Sequence, residues 1–295
     1  MVMAHLSKVL PIACAMIAIS TFAEAPYRVA HDAPLKAEER LLEEKEHHTL
    51  HQVEFNGIAG DRVIGHLYLP KALKGRRPAA LVQHGIGDKK QSAYITATCR
   101  MLVARGVVAL AIDAPNRGER RQPGKESVSI LDPASVHEWF RQHCGDYSRA
   151  LDYLATRSEV DAGRLGYIGF SWGAITGITF AAHDTRVKAL ASIGGGGNFG
   201  GYLGLAGFSG HGKQAPASLD PAHHIAAFAP RPLLLLNGKR DIIVPPAFAS
   251  ALHKAAGEGS RVEWHDTDHF FSGTDREKIL GSVAEFLKSS LSEAK

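Results

Sequence analysis

Tyr167-Ile168-Gly169-Phe170-Ser171-Trp172-Gly173-Ala174 joins a hydrophobic run, Arg164 to Phe170, to a small-residue helical pattern from Trp172 to His183. The spacing predicts a strand, a sharp turn and a helix, with a serine at the turn. A turn this tight strains the serine backbone and brings neighbouring backbone close, so the flanking positions must lack side chains. Gly169 and Gly173 meet that need. The hydroxyl of Ser171 would then stand clear of the sheet's carboxyl edge, facing the unpaired N–H groups of a helix N-terminus. Gly-x-Ser-x-Gly alone is common, and its bland reading is a glycine-rich turn with an exposed serine. The strand before it and the helix after it favour a nucleophile.

A serine hydroxyl needs an imidazole to take its proton, and the imidazole needs a carboxylate to fix its tautomer. Downstream, Pro232 to Asn237 is an apolar strand running into Gly238-Lys239-Arg240-Asp241. Arg261 to Trp264 is the last strand, ending in His265-Asp266-Thr267-Asp268-His269. Ser171, Asp241 and His269 thus follow the order Ser, Asp, His, each after its own strand, where an open α/β sheet binds ligands. His265 is the nearest rival base, but it ends the strand beside Trp264 and is expected to sit too deep. Asp266 and Asp268 compete with Asp241, which the turn after the adjacent strand presents better.

Acyl transfer builds charge on a carbonyl oxygen that backbone N–H groups must meet. Trp172 supplies one such donor at the helix start. Ile86, in His84-Gly85-Ile86-Gly87 after the first parallel strand, is placed for the second. The bland reading of that turn is a plain glycine loop.

Outward from these residues the pattern is α/β. Ala79–Gln83, Val107–Ile112, Arg164–Phe170, Val187–Ile193 and Pro232–Asn237 are apolar throughout and alternate with helical patterns, Tyr94–Arg105 and Ser135–Ser158 among them. That predicts a mostly parallel central sheet with helices on both faces. Before it, His51–Phe55 and Arg62–Leu69 alternate around Asn56-Gly57 and Gly60-Asp61, an antiparallel N-terminal hairpin. Ala30–Glu46 reads as a charged, helix-compatible lead-in. The cluster His47, His48 and His51 has no carboxylate or cysteine completing a metal set, so a solvated polar face is preferred. Gly194–Gly212 is about half glycine, with Phe199, Tyr202 and Phe208 spaced through it. A surface loop and a flap over the site, within 194–224, are both compatible with it.

The chain of 295 residues carries a net charge of +4 with basic residues scattered, which argues against nucleic acid as a partner. His5 and Lys8 precede an apolar run, Val9–Ala18, and Ala23-Glu24-Ala25 offers a cleavage site. The expectation is a signal peptide over 1–25, one catalytic domain over 26–295, and a secreted or periplasmic product without stable membrane insertion. Cys99 and Cys144 could pair in an oxidising compartment or remain buried thiols.

Together these segments resemble the α/β-hydrolase superfamily, and within it the dienelactone hydrolase and acetyl xylan esterase-like branch, related to prolyl oligopeptidase-type catalytic domains. The resemblance is carried by His84-Gly85-Ile86-Gly87, Asp113-Ala114-Pro115 with Gly118-Glu119, Gly169-Phe170-Ser171-Trp172-Gly173, Arg231-Pro232 leading to Gly238 and Asp241, and Asp268-His269-Phe270. It spans roughly Pro78 to Leu291 and implies the α/β-hydrolase fold. Dienelactone hydrolases proper use a cysteine nucleophile, so the serine here points to ordinary esters. The expected function is a serine esterase acting on small-molecule esters, with Ser171, His269 and Asp241 catalytic, Ile86 and Trp172 holding the oxyanion, and no metal or cofactor. A small-substrate peptidase or amidase is the alternative. A basic loop at Arg117, Arg120, Arg121 and Lys125 could serve an acidic substrate, though a solvated loop explains it as well. A binding protein on the same fold would be free to lose triad members, which this chain retains.

Overall fold

In the computed structural model residues 25–71, 75–123, 133–198 and 217–293 are described. Among the described residues nine strands form one sheet: β1 (Glu38–Glu44), β2 (His48–Asn56), β3 (Arg62–Pro70), β4 (Arg77–Gln83), β5 (Val108–Ile112), β6 (Val160–Phe170), β7 (Val187–Ile193), β8 (Leu233–Gly238) and β9 (Arg261–His265). Their order is β1-β2-β3-β5-β4-β6-β7-β8-β9. The pairs β1–β2, β2–β3 and β3–β5 are antiparallel, and every later pair is parallel. β5 and β8 are buried along their whole length, as apolar runs covered on both faces must be.

Successive residues of a strand point to opposite faces, so the sheet builds two cores. Leu81, Leu110, Tyr167 and Leu235 face α2 (Pro133–Ala155), α3 (Trp172–His183) and α4 (Pro246–Ala256). Val82, Ala111, Ile168 and Leu236 face α1 (Ala93–Val103) and α5 (Arg276–Glu293). The small residues of α3 have a steric cause: a Cβ on Gly177 would lie 2.1 Å from Tyr167 Cε1. Glycine lets that helix descend onto β6. Cys99 belongs to one core and Cys144 to the other; both are buried free thiols, which settles the open pairing question against a disulfide.

One expectation fails at the N-terminal end. Glu38–Glu44, inside the segment expected to be helix-compatible, is an edge strand on β2. Helix propensity is a weak prior, and the open edge of β2 outweighs it. Glu39 pairs with His51 at 2.8 Å and also with Arg157, and Glu44 pairs with Lys71 at 2.7 Å. The charges and a register shift between Leu41 and Glu43 also blunt the exposed edge. The expected leader up to residue 24 and residues 199–216 of the glycine-rich segment lie outside the described residues.

Candidate active site

β6 delivers its last residue, Phe170, directly to Ser171, and α3 starts at Trp172. Ser171 has φ 52° and ψ −115°, a conformation that non-glycine residues avoid. Its amide donates to Ile193 O at 2.8 Å, and its carbonyl accepts from Ala174 and Ile175 N–H at 2.9 and 3.0 Å. The turn leaves no room for side chains beside it. A Cβ on Gly169 would sit 2.4 Å from Gly173 O, and one on Gly173 would sit 2.7 Å from His84 O.

The loops after β8 and β9 bring Asp241 and His269 to this turn. His269 Nε2 lies 2.9 Å from Ser171 Oγ, and its Nδ1 lies 2.6 Å from Asp241 Oδ2. A carboxylate only accepts, so Nδ1 carries the proton and Nε2 is left as the acceptor for the serine hydroxyl. Asp241 is buried, and its other oxygen accepts Ile243 and Val244 N–H, both at 2.8 Å. These bonds fix the carboxylate before it meets the imidazole. Gly194, with φ +65°, closes the site beside the ring: a Cβ there would lie 3.2 Å from His269 Cε1.

The rival residues are accounted for. Asp266 is exposed and pairs with Arg240. Asp268 Oδ1 accepts Phe270 and Ser272 N–H, both at 2.9 Å, which pulls its carboxyl below the usual range. The expectation that His265 sits deep fails: it is partly exposed and lies 3.4 Å from Glu263.

Trp172 begins α3 immediately after the serine, and Ile86 lies in the loop after β4. That loop rests on the serine, since a Cβ on Gly85 would lie 3.4 Å from Ser171 Cβ. It is held by His84, which is buried. His84 Nε2 must accept from Ala114 N–H at 3.0 Å, so Nδ1 carries the proton and donates to Gly85 O at 2.7 Å. Burial pushes the His84 pKa down and keeps it neutral, as this pair of bonds requires. Arg117 Nε donates to Ile86 O at 2.5 Å.

Two members of the basic loop, Arg117 and Arg120, are built into the fold, whereas Arg121 is exposed. Arg120 is buried, bonding Asp61 and Asp146, each at 2.6 Å, and Asp113 O at 3.0 Å. Lys125 lies outside the described residues. Sequence reasoning also missed Lys90, a fully buried ammonium 2.7 Å from Asp113 Oδ2 and 2.5 Å from Glu119 Oε1. Among the described residues no group of three or more His, Cys, Asp or Glu side chains could hold a metal ion, and no helix is long and apolar enough to cross a membrane.

YtaP of Bacillus subtilis (strain 168) is 24% identical over 279 residues, 86% of this chain and 93% of that protein. Esterase FrsA of Escherichia coli O157:H7 is 29% identical over 147 residues, 50% of this chain but 32% of FrsA. Like FrsA, several further curated relatives are spanned over less than half their length. An acetyl xylan esterase from Paenibacillus sp. R4 superposes with a TM-score of 0.73 at 22% identity, covering 87% of this chain and 89% of that one. The acetyl xylan esterase 1 of Thermoanaerobacterium sp. JW/SL YS485 gives 0.72 at 18%, covering 87% and 88%. At such identities the likeness speaks for the α/β-hydrolase fold alone. Residues 63–292, strand β3 to helix α5, match the profile of the dienelactone hydrolase family, and the chain belongs to that family.

Proposed function

We propose that the protein is a serine hydrolase that cleaves carboxylic esters of small molecules. Ser171 Oγ attacks the ester carbonyl while His269 Nε2 takes the hydroxyl proton, and Asp241 steadies the imidazolium. The electron pair of the broken carbonyl π bond rests on oxygen, met by the Ile86 and Trp172 N–H groups. Collapse expels the alcohol, which leaves with the proton from His269. A water then gives a proton to His269 and attacks the acyl enzyme, releasing the acid and restoring Ser171. The observation that carries this reading is the unbroken hydrogen-bond chain from Ser171 through His269 to Asp241, at 2.9 and 2.6 Å.

Replacing Ser171 with alanine and following 4-nitrophenyl acetate tests it. The variant is expected to lose at least about a thousandfold in kcat, within the range for removal of a triad nucleophile. Undiminished turnover would end the proposal. The apolar run before Ala25 supports a second element of the reading, export with removal of the leader. Intact mass of protein recovered from a periplasmic fraction checks it: the expected product lacks about 25 residues, and a full-length chain confined to the cytoplasm contradicts it.

A further inference from the structure

His84 and Arg117 are not the only side chains that fasten the oxyanion loop. On the other side of Gly85, its N–H donates to the Tyr94 hydroxyl at 3.0 Å, and that hydroxyl donates to Asp88 Oδ2 at 2.8 Å. Asp88 Oδ1 in turn accepts the Ser92 hydroxyl at 2.9 Å. A Cβ on Gly85 would lie 3.4 Å from Ser171 Cβ and 3.6 Å from both Asp88 Oδ2 and Tyr94 Oη, so this network stands beside the serine. The Tyr94 ring is seated edge-on against Phe170, the residue before the serine, at 4.8 Å between centroids. Burial raises the Tyr94 pKa, which keeps the hydroxyl protonated and able to donate to Asp88 while it accepts from Gly85.

Two consecutive peptide groups are therefore clamped. The one ending in Gly85 N–H is held by Tyr94, and the one beginning with Gly85 C=O is held by His84. The second peptide also contains Ile86 N–H, which lies trans to that carbonyl and points away from His84. Gly85 N–H is occupied, and Ile86 N–H is the group whose direction the clamp determines. We infer that Tyr94 and Asp88 form a positioning pair that aims the Ile86 N–H at the oxyanion. This inference rests on the serine-hydrolase reading of the site. It assigns the pair no contact with substrate.

The test measures 4-nitrophenyl acetate turnover and inhibition by an alkyl trifluoromethyl ketone. Ser171 Oγ adds to that ketone, its proton passes to His269, and the carbonyl electron pair becomes an oxyanion in the same place as in the reaction. Tyr94→Phe keeps the ring against Phe170 and removes only the hydroxyl. The expected result is a kcat about tenfold lower, a KM within about twofold, and ketone affinity weakened in parallel with kcat, a partial loss compared with deleting an oxyanion donor. Asp88→Asn, which retains an acceptor for the tyrosine, should lose less of both than Asp88→Ala. That comparison holds even if Tyr94→Phe folds poorly.

Wild-type kcat and ketone affinity in Tyr94→Phe would overturn the inference, as would a fall confined to melting temperature. A wild-type enzyme that neither turns over the ester nor binds the ketone would fail the reading of the whole site, and the pair's role with it. The two failures are thus told apart.

Discussion

Gly173 shows how little slack the site has at the level of single residues. A methyl group there would meet His84 O at 2.7 Å and Gln83 O at 2.8 Å, backbone atoms at the end of β4 and the start of the loop that carries Ile86. Neither can rotate aside, so the loop itself must move. Gly173→Ala is expected to lower kcat more than tenfold and to cost about 1–3 kcal/mol in stability, as overpacking commonly does. Ester kinetics with a urea melt check both, and a variant with wild-type kcat would show that the loop tolerates displacement. The need for glycine at this position was legible in the sequence, because the strand–serine–helix pattern allows nothing else. The need at Gly194 to Gly197 was not. Gly194 approaches His269, and a Cβ on Gly196 or Gly197 would meet Val244 Cγ1 or Ala222 Cβ at 2.7 Å. Those contacts come from residues some 25 to 75 positions away, so the run of glycines read equally well as loose loop.

Between elements, buried ion pairs tie the loops that hold the site. Arg120, in the loop after β5, reaches Asp146 on α2 and Asp61 before β3. Asp146 is fully buried, and removing its cation strands a charge. Arg120→Met is therefore expected to destabilise the fold by about 3–5 kcal/mol. By contrast, Arg105→Ala, which breaks the surface pair with Glu285, should cost about 1 kcal/mol or less. Chemical denaturation of the two variants makes the comparison, and equal effects would contradict it. Strands and helices of the α/β part were legible to within a few residues because their apolar runs are long and periodic. β1 was not, since Glu38–Glu44 owes its strand conformation to pairing with β2 and to the partners of its glutamates. The ion-pair network was equally invisible. A basic loop looks the same in sequence whether its arginines face solvent or carboxylates.

At the scale of the whole molecule, several histidines are folded in as neutral groups. Burial holds His66, His183 and His253 down to about 4, and His143 to about 3. Each binds a proton more readily in the unfolded chain, near 6.5. The native state thus binds fewer protons than the unfolded one below that pH, and stability must fall as pH drops from about 6.5 toward 4. Above about 6.5 these groups contribute no slope. Urea midpoints at pH 7.5, 6.5 and 5 should show a plateau and then a decline, and a midpoint that rises on acidification would contradict this account. The α/β architecture and the order of Ser171, Asp241 and His269 were readable because one fold places each at the end of its own strand. The bond from Gly85 N–H to the Tyr94 hydroxyl was not readable, since it depends on where α1 docks.

The central claim is that one hydroxyl among all those in the chain is activated. Treating the protein with an alkyl fluorophosphonate and locating the adduct by peptide mass spectrometry tests it most directly. The account predicts one phosphonyl group, on Ser171, absent from Ser171→Ala and formed far more slowly in His269→Ala. An unlabelled wild-type protein, or an adduct on any other residue, would contradict it.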